Sequence, residues 1–175
     1  MLEKAQDLVV PLKLTLKSIK TGMTKEVSQT VQRFDHFTGE LHEVTSRKTV
    51  KIQKGIDDND EIVFPNEGND QKGKLRGNLV FRIHTVIRSH YLRQKENIII
   101  YHPIHPQLIH EGFDFNHKSL IDGEILFRKI PKDSINLDDP QQSTIIFFGK
   151  GLPKKGDSSG LLGDIHVIFI EALQE

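Results

Sequence analysis

Apolar and polar positions alternate in short stretches along this chain. Leu12, Leu14 and Leu16 alternate with Lys13, Thr15 and Lys17, the period of two that sets one face of a strand on a core and the other in water. The pattern returns at Val50 and Ile52, at Leu79, Phe81 and Ile83, and at Ile165, Val167 and Phe169. Two unbroken apolar runs, Ile98–Tyr101 and Ile145–Phe148, predict strands covered on both faces. Turn-forming clusters lie between them: Asp57-Asp58-Asn59-Asp60, Asn66-Glu67-Gly68-Asn69, Asp122-Gly123 and the stretch from Pro153 to Gly163. Ser18–Thr21 predicts one short helical turn closed by Gly22. No long amphipathic helix is in the pattern. The apolar inventory agrees, with 20 Ile, 10 Val, 17 Leu and 10 Phe against two Ala, because branched and aromatic side chains suit a pleated surface better than a helix. An all-β fold with very little helix is predicted.

The pattern also repeats on a longer scale. Glu61-Ile-Val-Phe-Pro-Asn-Glu-Gly68 precedes a polar loop and then Gly77-Asn-Leu-Val-Phe-Arg-Ile83. Later, Thr144-Ile-Ile-Phe-Phe-Gly-Lys-Gly151 precedes a loop and then Gly163-Asp-Ile-His-Val-Ile-Phe169. Earlier in each half, Leu14…Ile19-x-x-Gly22 matches Ile104…Ile109-x-x-Gly112. Three matched blocks in one order predict two tandem, similarly folded β-sandwich domains. Residues 1–87 would form the first and 98–175 the second, with the polar, basic stretch 88–97 as linker. Each unit is small for an independent core, so the two are expected to lean on one another.

Charge narrows the function classes. The 24 Lys plus Arg equal the 24 Asp plus Glu, so no global field favours nucleic acid or an anionic membrane. No apolar run approaches the roughly 18 residues of a membrane span, and the polar stretch Met1–Asp7 is not a signal peptide. There is no cysteine, which removes disulfides, thiolate zinc sites and cysteine nucleophiles. That absence is compatible with a cytoplasmic protein. No Gly-x-Ser-x-Gly or His-Glu-x-x-His is present. His102, His105, His110 and His117 lack the companion ligands of a metal site. Gly149-Lys-Gly-Leu-Pro-Lys-Lys-Gly156 lacks the Gly-Lys-Ser/Thr ending of a phosphate loop, and a mobile hairpin connection is expected there. No catalytic residue, metal or cofactor is assigned.

Val10-Pro-Leu-Lys-Leu-Thr-Leu-Lys-Ser-Ile-Lys-Thr-Gly22, then Lys51-Ile-Gln-Lys-Gly-Ile-Asp-Asp-Asn-Asp-Glu-Ile-Val-Phe64, then Glu67-Gly68 resembles the C-terminal substrate-binding region of DnaJ-type co-chaperones. The second half adds Gly112-Phe113, Asp122-Gly123, Gly149-Lys-Gly-Leu-Pro153 and Gly163-Asp-Ile165 in the same order. The resemblance runs from about Leu8 to Ile170 and is to the class without zinc finger. It implies a co-chaperone module that binds unfolded or extended polypeptide and passes it to a DnaK-type chaperone. The His-Pro-Asp signature of a J-domain is absent, since His102-Pro103 and His105-Pro106 continue with Ile and Gln. The chain is therefore not expected to stimulate an ATPase. Only Glu171–Glu175 follow the expected last strand, too little for the family's pairing helix, so a monomer is expected here and a homodimer for a full-length protein. The family's inter-domain pattern His-Pro-x-Phe-x-Arg-Asp-Gly reads Ser89-His-Tyr-Leu-Arg-Gln-Lys95 here, without its Pro, Asp and Gly.

The resemblance also implies site residues. Val10, Leu12, Val27 and Phe81 match the family's peptide groove in the first domain, an apolar trough beside a strand edge where an extended peptide adds as a strand. Parity alone is equally compatible with ordinary core packing, since Leu12 is in phase with Leu14 and Leu16. Gln29 replaces one apolar groove position. Lys25 matches a groove lysine that faces the acidic C-terminal tail of the DnaK-type partner, and a solvated strand lysine is the plain alternative. The competing function is a non-chaperone β-sandwich adaptor that binds one folded partner.

Overall fold

The computed structural model describes residues 1–173. Among them the chain forms β1 (Leu8–Thr15), α1 (Leu16–Thr21), β2 (Met23–Phe34), β3 (Leu41–Ile52), β4 (Glu61–Phe64), β5 (Leu79–Val86), β6 (Tyr91–Gln94), β7 (Asn97–Ile104), α2 (Pro106–Glu111), β8 (Phe113–Lys118), β9 (Ile125–Ile130), β10 (Thr144–Phe147) and β11 (Ile165–Glu171). The predicted all-β fold is present. The expected turn at Ser18–Thr21 is the end of α1, which Thr15 caps through a bond from the Ser18 N–H to its hydroxyl.

The first half builds a sheet in the order β1-β5-β4 and a separate hairpin β2-β3. The second half builds β10-β11-β7 with a hairpin β8-β9, and adds β6 beside β7. In each half the first strand pairs parallel with the last, Leu8 opposite Leu79 and Ile98 opposite Ile165. Parallel strands require a crossover, and the short helix plus hairpin supplies it. Superposing these registers makes Val10 the counterpart of Ile100, Leu12 of His102, Lys25 of Phe115 and Val27 of His117.

Close backbone approach explains the repeated glycines. The Gly68 N–H donates to the Gly77 carbonyl at 2.9 Å, and the Gly151 N–H to the Gly163 carbonyl at 2.8 Å. A Cβ on Gly68 would stand 2.2 Å from the Asn78 carbonyl oxygen, and one on Gly151 2.5 Å from that of Glu96. No larger residue fits either crossing.

Side chains of matching parity form one continuous core. Leu12, Leu14, Leu79, Phe81, Ile83, Val50 and Ile52 enter it from the first half, and Ile98, Ile100, Phe115, Phe147, Val167 and Phe169 from the second. Burying each large side chain is worth about 1.5–3 kcal/mol. Polar contacts also join the halves. Lys20 meets Asp122 at 2.7 Å and Lys155 meets Asp60 at 2.6 Å. The Arg93 guanidinium, 3% exposed, reaches the Ile56 carbonyl at 2.7 Å and the Thr85 hydroxyl at 2.9 Å.

Two expectations change. The stretch 88–97, expected as a linker, contains β6, which forms a hairpin with β7. Arg93 holds it, with burial and hydrogen bonds that a polar, basic sequence does not advertise. Lys95, where the family pattern has Gly, takes φ 53° in that hairpin. The segment Gly149–Gly156, expected to be a mobile connection, is anchored at its middle, where Gly151, Leu152 and Pro153 are buried. Leu152 is fully buried and its N–H donates to the Glu96 carbonyl at 2.8 Å. The last strand ends at Glu171, and the final two residues of the short tail lie outside the described residues.

Candidate functional site

β1 is an outer strand. Its Leu8 N–H donates to the Asn78 carbonyl at 2.8 Å, so Leu8, Val10 and Leu12 turn their backbone groups towards β5. Val9, Pro11 and Lys13 turn theirs to the open side. Pro11 loses nothing there, because its missing N–H falls on the side without a partner strand. The same proline blunts this edge against an incoming strand.

β2 has a second edge. The Asp35 N–H donates to the Glu40 carbonyl at 2.9 Å and closes the hairpin. One residue out of phase, the Gln32 and Phe34 N–H groups donate away from β3, to Asn69 Oδ1 at 2.9 Å and Asp70 Oδ2 at 3.0 Å. The even-numbered residues of β2 therefore face outward. The loop after β4 satisfies the far end of that edge. Along Thr24, Glu26 and Ser28 the outward backbone groups have no protein partner among the described residues.

The odd-numbered residues of β2 face the sheet. Val27, opposite Lys48, and Lys25, opposite Val50, are half-buried. Val10 is half-buried on the inner face of β1, opposite Phe81. Both valines pack against the core. Lys25 forms no ion pair among the described residues. Gln29 is also inward and half-buried, its amide donating to the Thr30 carbonyl at 3.2 Å.

Two of the expected groove residues offer no surface. Leu12 is 4% exposed and Phe81 is fully buried, with Phe64 standing edge-on to it at 5.8 Å. Phe81 sits on β5, the central strand of its sheet, so both faces and both edges are covered. Its place is in the core. The free edge of β2 and the proline on β1 were missed from the sequence. Polar alternation in Met23–Phe34 is a strand signal, but which edge lacks a partner is not written in it. Lys48 was missed as well. It pairs with Glu67 at 2.9 Å and lies over the Phe64 ring at 5.8 Å.

The corresponding place in the second half is aromatic. His102 stands edge-on to Phe115 and Phe169, and His117 stacks on Phe115. The Tyr91 hydroxyl and His117 Nε2 share a hydrogen bond. Burial holds both histidines below the ordinary imidazole pKa, and the neighbouring His102 and then Arg88 lower His117 further. Burial raises the Tyr91 phenol. His110 lies apart, exposed and 2.8 Å from Asp133, and His105 precedes α2 as its cap residue.

This frame has a family. The family model described as DnaJ C terminal domain matches residues 8–170. The chain belongs to the DnaJ C-terminal domain family. It is 24% identical over 136 residues to "Chaperone protein DnaJ" of Sulfurovum sp. (strain NBC37-1), an alignment covering 77% of this chain and 34% of that relative. The chain thus spans about a third of the length of the curated relative. A chaperone-related role follows for this DnaJ C-terminal chain. Among the described residues, no helix is long and apolar enough to cross a membrane.

Proposed function

We propose that this DnaJ C-terminal chain holds extended or unfolded polypeptide for a DnaK-type chaperone, as a binding module and not an enzyme. The observation that carries the reading is the open edge of β2 at Thr24, Glu26 and Ser28, on the strand whose other residues include the half-buried Val27. A client segment would add to this edge as a strand. Its main-chain bonds are indifferent to sequence, and alternate apolar side chains enter the trough. Clients of many sequences can therefore be held. The other edge, on β1, is interrupted at Pro11, which favours β2. In this reading residues 1–87 and 98–175 are the two units, and the first is the one open to clients.

Lys25 supports the finer part of the proposal. A half-buried lysine two residues from Val27 on the same face of β2 suits the carboxylates of an acidic C-terminal tail. The trough would then accept either a client or the chaperone's tail, and hand-off would be competition for one place. Stimulation of the chaperone's ATPase would fall to another part of a full-length co-chaperone, in which two such chains are expected to pair.

The test is aggregation suppression on several unrelated unfolded proteins, run with the chain and with Val27→Asp. The chain should protect more than one client. The variant, whose substitution lies at a half-buried surface position, should fold and lose at least tenfold in affinity for an extended apolar peptide. Protection of no client, with tight binding to one folded protein, would make the chain an adaptor instead.

A further inference from the structure

The second half repeats this frame, and there the edge of β7, the counterpart of β1, is occupied. β6 runs antiparallel to β7 along the edge that corresponds to the open side of β1, with Tyr91 opposite Ile100, Leu92 opposite Ile99 and Arg93 opposite Ile98. The Tyr101 N–H donates to the His90 carbonyl at 2.7 Å. Tyr101 is the counterpart of Pro11, so the edge that proline blunts in the first half is intact here. Tyr91 lies opposite the counterpart of Val10, and its hydroxyl bonds to His117, the counterpart of Val27. The ring is partly buried against the core, 5.8 Å from the imidazole between centroids. This is a strand added to a sheet edge with one large side chain inserted beneath the hairpin, made from the chain's own residues.

We infer that β6 is an internal occupant of a second peptide-binding trough, which an extended segment bearing an aromatic side chain can enter once β6 leaves. The inference rests on the strand-addition reading of the first half, but places the added strand on β7, the counterpart of β1, and not on β8, the counterpart of β2. β6 is short, only four residues, it ends its sheet, and Leu92 and Gln94 on it are exposed, so few main-chain bonds hold it to β7. Its anchor is Arg93. That guanidinium donates to the Ile56 carbonyl, the Thr85 hydroxyl and the Lys95 carbonyl, with Asp57 at 3.7 Å and Asp58 at 4.0 Å. Ile56, Asp57, Asp58 and Thr85 all belong to the first half. Departure of β6 therefore withdraws the guanidinium from those groups, and filling of the second trough is coupled to the grip between the halves.

A synthetic peptide of residues 88–96 is the probe, added to the full chain and to its Tyr91→Ala variant, with the His117 imidazole followed by NMR. In the variant the peptide should bind at least tenfold more tightly than to the unaltered chain and return the His117 signals towards their original positions. The same peptide with alanine in place of its tyrosine should not. A folded variant whose His117 signals ignore the peptide at millimolar concentration overturns the inference. Hydrogen exchange on the unaltered chain decides the matter if the variant does not fold. The amides of Leu92 and Gln94 on β6, together with those of Ile99 and Tyr101 facing it, should exchange at least tenfold faster than those of Ile98 and Ile100, which face β11. Equal rates would mean that β6 leaves only with the whole sheet, and would also overturn it. Both readouts lie in the second half, whereas failure of the first trough appears as Val27→Asp leaving client affinity unchanged.

Discussion

The two halves share a frame and differ in what fills one place in it. In the first, Val10, Val27 and Lys25 are half-buried beside an open strand edge. In the second, Ile100, His117 and Phe115 stand at the corresponding positions, and Tyr91 of β6 closes the space between them. An edge strand is a liability unless it is paired, blunted or used. This molecule shows all three: β6 pairs β7, Pro11 blunts β1, and the edge of β2 is left unpaired. The difference between the halves thus lies at β1 and β7, where one edge is blunted and the other is paired.

The comparison can be broken most severely at its centre. Phe81→Ala should lower stability by about 3–5 kcal/mol, read from urea unfolding, because a buried aromatic on the central strand leaves a cavity. Val167→Ala, at the corresponding place on β11, should cost less since fewer buried atoms are removed. A folded Phe81→Ala chain of unaltered stability that loses only peptide affinity would return Phe81 to the trough. Next in size is Arg93→Met. Losing the guanidinium strands the Ile56 carbonyl, the Thr85 hydroxyl and two nearby carboxylates, and should cost about 1–3 kcal/mol. The variant should also loosen the halves, visible as faster exchange at the amides of Ile56 and Thr85.

Acid should separate the halves more gently. His102 and His117 are held below their unfolded pKa, chiefly by burial. Below about pH 6.5, the unfolded imidazole value, the unfolded chain takes up protons that the folded one refuses, so stability falls as pH falls. Above that pH both states are neutral and the effect vanishes. Urea midpoints at pH 7 and pH 5 should differ in this direction, and less so in a His102→Leu, His117→Val double variant. The smallest effect is expected at Lys25, where a partly solvated ion pair is worth about 0.2–1 kcal/mol. Lys25→Glu should weaken an Asp/Glu-rich C-terminal peptide more than an apolar client peptide, and added salt should weaken only the acidic one. Equal losses for both would point to a folding defect.

Much of this is legible in the sequence. Alternation at Leu79, Phe81 and Ile83 and at Ile165, Val167 and Phe169 located β5 and β11, because half-buried strands must alternate. The repeated Gly68…Gly77 and Gly151…Gly163 marked one crossing built twice. Parity could place Leu12 and Phe81 on an inner face, but an inner face can be floor or core. Only packing told them apart, and both proved to be core. Stretch 88–97 misled for a related reason: its one buried charge, Arg93, is solvated by carbonyls and carboxylates from residues 56–58 and 85, which no local pattern can announce.

The sequence by itself determined the all-β character, the twofold repeat and the family, since these rest on periodicity, residue type and spacing, which are local quantities summed along a chain. The tertiary structure alone decided which strand edges are open, which trough is filled and which aromatic lies inside. Those depend on what a residue meets across the fold. Pro11 and Tyr101 occupy the same place in two copies of one frame, and only their neighbours make one edge bare and the other paired.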